Sequence, residues 1–141
     1  MTNKLQLALP GEIGSLTAIQ KFVDSACEVA GIDNETSYDI KLAVDEACMN
    51  VIQHGYKGKD PGSVIVSFQY GVRQVVIHIT DFGHPFEPSE PPRPDHEKVL
   101  AGTSGGYGLF FMYKIMDSIT YETTETSNTL TLIKYLTDEK G

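Results

Sequence analysis

Hydrophobic and polar positions alternate in five short segments of the chain, and this period of two predicts five β-strands. The segments are residues 4–9, 64–70, 75–80, 118–123 and 129–136. Only a short turn at Gly71 separates the second segment from the third, so these two are expected to pair as an antiparallel hairpin. The last two segments flank a polar turn at Ser127 and Asn128 and should pair in the same way.

Three other segments place apolar residues every three to four positions, which predicts helices. The first begins after Ser15, a residue suited to cap a helix, and ends at Gly31. The second is centred on residues 40–56, and the third covers residues 109–116. The second helix carries a narrow apolar stripe made of Ile40, Val44, Ala47 and Val51.

The order of these elements predicts an α+β fold. It is a two-layer sandwich in which about three helices cover one face of a largely antiparallel, mixed sheet. A chain of 141 residues suits one domain, residues 1–141. Residues 82–102 show no periodicity and contain five of the seven prolines, so this segment is expected to be a lid (at about residues 83–104), a binding loop or a disordered insert.

The composition is that of an ordinary globular protein, with 40% hydrophobic and 21% charged residues. There is no apolar run of about 20 residues and no signal-peptide pattern, so a cytoplasmic location without membrane contact is expected. The net charge of −8 argues against a general nucleic-acid surface. It still allows a phosphate site built from backbone amides and a metal ion. Cys27 and Cys48 lack metal-ligand spacing and are expected to be buried.

Three polar clusters could carry chemistry. Glu46 and Asn50 lie one turn apart on the second helix, where an amide oxygen suits Mg²⁺ and a carboxylate can accept a proton. Asp81 ends a strand, and Gly83 follows it closely, an arrangement that can bind the amino group of a flat ring. The glycine-rich run at 102–108 offers backbone amides at a helix start.

Taken one by one, these clusters also have plain structural readings: a solvated helix flank, a turn and a flexible connection. Neither glycine cluster follows the dinucleotide or P-loop spacing. Their order, however, is informative. E-x-x-x-N on a helix, D-x-G after a strand and G-G-x-G-L before a helix resemble the ATP-binding fold shared by gyrase, Hsp90, histidine kinases and MutL. Residues 43–56 and 105–117 look most like its small bacterial branch, the anti-sigma-factor serine kinases, and the resemblance covers nearly the whole chain.

The resemblance implies that ATP and Mg²⁺ are the cofactors. Asn50 would coordinate the metal, and Glu46 would be the catalytic base toward a protein hydroxyl. Asp81 would bind the adenine amino group, and Gly83 would make room for the ring. The phosphates would lie against the turn that opens the third helix, formed by Gly105, Gly106, Tyr107, Gly108 and Leu109.

The family pattern also bears on the lid and the last strand. Residues 84–104 would be the lid, and Pro85 stands where many relatives carry a second glycine, which departs from the common pattern. Either Thr129 or Thr131 would assist the base through water; both lie on one face of their strand, so the sequence does not choose between them. His54 and His78 are interpreted as structural residues.

The function implied by the resemblance is an ATP-dependent protein serine/threonine kinase. It would bind a sigma factor or another regulator and phosphorylate a small anti-sigma-factor antagonist, and members of this branch often form homodimers through the sheet and the N-terminal strand. Three alternatives remain open. They are an ATP-binding interaction module without phosphotransfer, a histidine-kinase-like catalytic domain acting in trans, and an α+β domain that binds no nucleotide.

Overall fold

The computed structural model describes residues 3–55, 62–85 and 107–136. The expected α+β fold is confirmed. Most of the expected lid, with Gly105 and Gly106, lies outside the described residues. The main elements are β1 (Asn3–Pro10), α1 (Leu16–Ala30), α2 (Asn34–Asn50), β2 (Ser63–Tyr70), β3 (Gln74–Asp81), α3 (Tyr107–Ile115), β4 (Ser118–Thr123) and β5 (Asn128–Tyr135).

The five strands form one sheet in the order β1-β2-β3-β5-β4. Each of the four pairings between these described strands is antiparallel, and β2 and β3 form the expected hairpin. α3 lies between β3 and β4 in the chain, and β5 then returns to pair with both of them. The end of β3 and the beginning of β5 are therefore neighbours at one end of the sheet.

One face of the sheet carries the hydrophobic core, because alternate residues of neighbouring strands align in rows. Phe68, Ile77 and Leu132 form one row, and all three are fully buried. The helices bury their apolar stripes in the same cluster. Burial of each large aliphatic side chain contributes about 1.5–3 kcal/mol, so these rows are the main source of stability. From the helices the cluster includes Leu16, Ile19, Val23, Ile40, Val44, Ala47 and Met112.

The opposite face of the sheet is polar. His78 Nδ1 lies 2.9 Å from Thr131 Oγ1 across the β3–β5 pair, so the interpretation of His78 as a satisfied sheet residue is confirmed. Thr80 and Thr129 make a similar contact of 3.1 Å between their hydroxyls. Thr129 and Thr131 thus lie on the face away from the helices. The suggestion that one of them assists Glu46 is wrong, because the strand's alternation points both away from α2.

The helix ends differ in part from the prediction. Gly31 does end α1 in the left-handed region, at φ 73°. Ser15 precedes α1 but makes no capping hydrogen bond; its hydroxyl donates to the Pro10 carbonyl at 2.7 Å and ties the helix start to β1. α2 begins earlier than predicted, because the Asp33 side chain caps it by accepting from the Thr36 amide at 2.8 Å. After Asn50 the helix widens into a π-turn, Val51–Gly55, a feature often found at functional sites.

Both cysteines are buried free thiols, as expected. Burial raises the pKa of Cys27 and raises that of Cys48 to about 12, so neither thiol ionises readily at neutral pH. Among the described residues, no helix has the length and apolar character to cross a lipid bilayer.

Candidate functional site

The predicted polar residues meet where the core reaches the end of the sheet. Asp81 is the last residue of β3 and lies on the helix-facing side, in register with Val64 on β2 and Asn128 on β5. A small cavity between the sheet and α2 is lined by both Asn50 and Asp81. Two of the three predicted clusters are therefore brought together by the packing of α2 on β3. The other lining residues are Ala47, Val51, Ile79, Tyr121 and Leu130.

The glycine-rich turn at the start of α3 lies next to the Glu46–Asn50 pair of α2. The Glu46 carboxylate occupies the space that a Cβ atom at Gly108 would need, so the base candidate rests directly on the first turn of α3. Leu109 is half-buried and packs against the core, which fixes this turn beside α2. Tyr107 begins α3, and its side chain lies outside the described residues. The α2–α3 contact thus places a carboxylate next to the amides that open a helix, where anions are favoured.

Gly108 is required by this close approach rather than by backbone conformation. We expect Gly108→Ala to push the Glu46 carboxylate out of its position and to reduce the predicted phosphate transfer by about tenfold or more, because the added Cβ atom displaces the end of the Glu46 side chain. ATP affinity should change by only a few-fold, since the packed helices stay in place. Single-turnover transfer with labelled ATP and Mg²⁺ measures the effect. Gly14→Ala is a matched control, because a Cβ atom added at Gly14 meets nothing within 4 Å. Equal transfer by Gly108→Ala and Gly14→Ala would contradict the packing argument.

Glu46 has the electrostatics of a base. Burial raises its pKa above the usual carboxyl range, and the charge of Asp45 adds to the rise. The Asn50 carboxamide opposes the rise by favouring the charged form. A carboxylate with a raised pKa holds a proton more strongly than an ordinary one, so it is better suited to accept a proton from a hydroxyl.

Asn50 carries a buried polar atom that has no hydrogen-bond partner among the described residues. This atom is Nδ2, although the carboxamide is close enough to Glu46 to influence the pKa of that carboxyl group. An unpaired buried donor costs about 1–3 kcal/mol, so its retention points to a demand other than folding. Among the described residues, no three His, Cys, Asp or Glu side chains form a metal cluster. The unpaired Nδ2 is a hydrogen-bond donor and suits a phosphate oxygen, whereas the carboxamide oxygen of Asn50 is the atom that would bind Mg²⁺ together with phosphate oxygens and water.

Asp81 is held in one orientation by two hydrogen bonds to the same oxygen. Its Oδ1 accepts from the Gly83 amide at 2.9 Å and from Asn128 Nδ2 at 2.9 Å. Both bonds that Asp81 makes with described residues go to Oδ1, so Oδ2 is the oxygen available to a ligand. The sequence pattern placed Asn128 only in a polar turn and indicated no role for it at the site. Its position opposite Asp81 follows from the strand register, which the sequence alone does not fix.

The cavity at Asp81 has a volume of about 20 Å³, which is room for about one water molecule. A purine ring therefore enters only if lining side chains move aside. Larger cavities of about 260 and 360 Å³ lie at the far end of the sheet, around the β2–β3 turn. None of the predicted site residues lines them. Asn50 and Asp81 thus line the smaller cavity, and cavity size alone would not have pointed to them.

A cavity of about 140 Å³ adjoins Glu46 on the side away from Asn50. It lies between α2 and α3, and its rim includes the exposed side chains of Leu42 and Phe111. Within the described part of the chain, this cavity offers an approach to Glu46 that does not pass Asp81. This is the access that a large second substrate would need.

Residues 9–134 match the family described as Histidine kinase-like ATPase domain. The chain is 26% identical to the Serine-protein kinase RsbW of Bacillus velezensis over 96% of this chain and 88% of that protein. It is 31% identical to the protein of the same name from Bacillus licheniformis, over 79% of this chain and 76% of that protein.

The fold has a counterpart among solved structures. A crystal structure of the RsbU and RsbW domains of a Mycobacterium tuberculosis protein superposes with a TM-score of 0.66 at 17% sequence identity. The match covers 94% of this chain and 32% of that longer one. At this identity the similarity concerns the fold.

Proposed function

Because this chain belongs to the histidine kinase-like ATPase domain family, and within it to the serine-protein kinases named RsbW, we propose that it is a single-domain protein kinase. It uses ATP and Mg²⁺ to phosphorylate a serine or threonine of another protein, and it acts as an anti-sigma-factor switch. The observation that carries this proposal is the contact between Glu46 and Gly108, which sets a proton acceptor beside a turn suited to phosphate.

Each residue of the site has a distinct task in this proposal. Asp81 Oδ2 accepts a hydrogen bond from the adenine amino group, and Gly83 leaves room for the ring. The amides at the start of α3, at Tyr107, Gly108 and Leu109, would hold the phosphates, and Gly105 and Gly106, which lie outside the described residues, are proposed to contribute as well. Asn50 Oδ1 would hold Mg²⁺, which would neutralise phosphate charge. The residues of the lid would then cover the nucleotide.

Glu46 acts on the second substrate. Its carboxylate accepts the proton of the incoming hydroxyl, and the raised pKa suits that step. The cavity between α2 and α3 gives a protein side chain a route to Glu46. Most of the acceleration would come from positioning and charge neutralisation, as is general for phosphoryl transfer.

The partners follow from the family. We propose that the chain binds a sigma factor or a similar regulator, and that its phosphorylation substrate is a small antagonist of the anti-sigma factor. A cytoplasmic location is part of the proposal, and two free buried cysteines suit a reducing compartment. Homodimer formation remains a prediction.

A pull-down from the native host with and without ATP, followed by mapping of phosphorylated residues on the retained proteins, tests this function. We expect a retained protein to gain phosphate on one serine or threonine only when ATP and Mg²⁺ are present. Retention without any phosphate gain would favour the alternative of an ATP-binding module. Phosphate on a histidine would favour a histidine kinase acting in trans.

A further inference from the structure

Asn128 is a buried polar residue that the proposed mechanism does not use. It is 2% exposed and begins β5, directly opposite Asp81 on β3. Both residues lie on the helix-facing side of the sheet, in the row that Val64 continues on β2. A carboxamide at a core position is costly unless its hydrogen bonds are made, so the bonds of Asn128 indicate its purpose.

The Asn128 carboxamide is fully engaged. Its Nδ2 donates to Asp81 Oδ1 at 2.9 Å and to the Gly83 carbonyl at 3.0 Å. Its own Oδ1 accepts from the Thr123 hydroxyl at 2.7 Å. The opposite amide orientation would place an oxygen against two acceptors, so the network fixes the carboxamide in one orientation. Three strands and the first residues after β3 are thereby joined at one point.

This network acts on the Asp81 carboxylate. The Gly83 amide and Asn128 Nδ2 together saturate Oδ1, and rotation of the carboxylate would break both bonds. Oδ2 is therefore held toward the cavity that Asp81 shares with Asn50. A group fixed in its binding geometry before the ligand arrives loses less conformational entropy on binding, which increases affinity and selectivity.

We infer that Asn128 is a positioning residue for base selection: it locks Asp81 so that one carboxylate oxygen discriminates a purine bearing a 6-amino group from one bearing a 6-oxo group. The inference rests on the proposed nucleotide binding. Base selectivity then depends on a residue of β5. The Asn128 carboxamide also holds Gly83, the residue at which the expected lid begins.

Other side chains at position 128 could not make the same hydrogen bonds. A leucine of similar size would leave Asp81 Oδ1 with one donor and the Gly83 carbonyl without its Asn128 bond. A threonine has a single hydroxyl proton and could not donate to both acceptors at once. The carboxamide is the group whose two donors match the two acceptors that the Asp81–Gly83 turn presents.

The test compares ADP with inosine diphosphate, which carries a 6-oxo group, by isothermal titration of the full chain. The wild type should prefer ADP. Asn128→Leu should lower the affinity for ADP about tenfold, because the loss of one hydrogen bond to a charged group changes a binding constant by about that much. The affinity for inosine diphosphate should change less than about threefold. Thr129→Val is the matched control, since Thr129 is the next residue on β5 and faces the other way; it should leave the preference unchanged.

Thr123→Val keeps the shape of its side chain and removes one donor to Asn128. It should reduce the ADP preference in the same direction by a factor of about two to five, and it serves if Asn128→Leu does not fold. An equal loss for both nucleotides, or an unchanged preference in both variants, would overturn the inference while leaving nucleotide binding intact. A wild-type chain that binds neither nucleotide would overturn the proposed function, and the inference with it.

Discussion

Glu46→Gln should reduce transfer of phosphate to the acceptor protein by about 10²–10⁴-fold, the usual contribution of a general base. The glutamine keeps the size of the side chain but cannot accept the proton of the hydroxyl. ATP affinity should stay within a few-fold of wild type, since Asp81, Asn50 and the α3 amides are untouched. Single-turnover transfer with labelled ATP, together with isothermal titration, separates the two effects.

Glu35→Gln is the matched control for this experiment. It makes the same chemical change on the same helix, at an exposed position in the first turn of α2. Transfer by Glu35→Gln should equal that of the wild type. Undiminished transfer by Glu46→Gln would remove Glu46 from the role of base.

Glu46→Gln should also be more stable than the wild type at neutral pH. Because burial raises the pKa of Glu46 in the folded state, the fold favours the protonated carboxyl. This stabilising contribution is fully present at pH values below the pKa that Glu46 has in the unfolded chain, and it is lost as the pH rises through the higher pKa of the folded state. Glu46→Gln has no charge to bury, so its melting temperature should exceed that of the wild type at pH 7, as active-site residues often sacrifice stability.

Asn50→Ala should abolish the magnesium-dependent part of nucleotide binding. Loss of a residue that only supports a metal ligand costs about 10–100-fold in affinity, and Asn50 is proposed as the ligand itself, so the loss should reach about 100-fold. The affinity for ADP with a chelator present should change by only a few-fold. Asn34→Ala, at the exposed start of α2, is the control. Wild-type affinity of Asn50→Ala for ATP with Mg²⁺ would contradict the metal assignment.

The sequence predicted the elements well because their signals are local. Alternation located all five strands, and the left-handed glycine at 31 ended α1 as expected. The start of α2 was missed because its first residues are polar, and Asp33 rather than an apolar stripe determines where the helix begins. The capping role expected of Ser15 is wrong, because Ser15 lies in a short 3-10 turn, Ile13–Ser15, with helical backbone angles, and its hydroxyl accepts no hydrogen bond from an amide of α1 but donates to the Pro10 carbonyl.

Sequence motifs identified some residues of the candidate site and missed others. Glu46, Asn50 and Asp81 could be selected by spacing and resemblance, and the packing of α2 on β3 then places two of them at one cavity. Asn128 could not be selected, because its partner is 47 residues away and only the β3–β5 register brings the two together. The steric need for glycine at 108 likewise depends on how α3 packs on α2.

The central claim is that α2, the end of β3 and the start of α3 form one site for adenosine polyphosphate. Backbone amide NMR of this 15.5 kDa chain, titrated with ATP and Mg²⁺, tests it most directly. The account predicts that the largest shift changes occur together at residues 46–50, 81–83 and 107–109. Changes confined to residues 30–36 and 71–73, around the larger cavity at the far end of the sheet, or no changes at all, would contradict it.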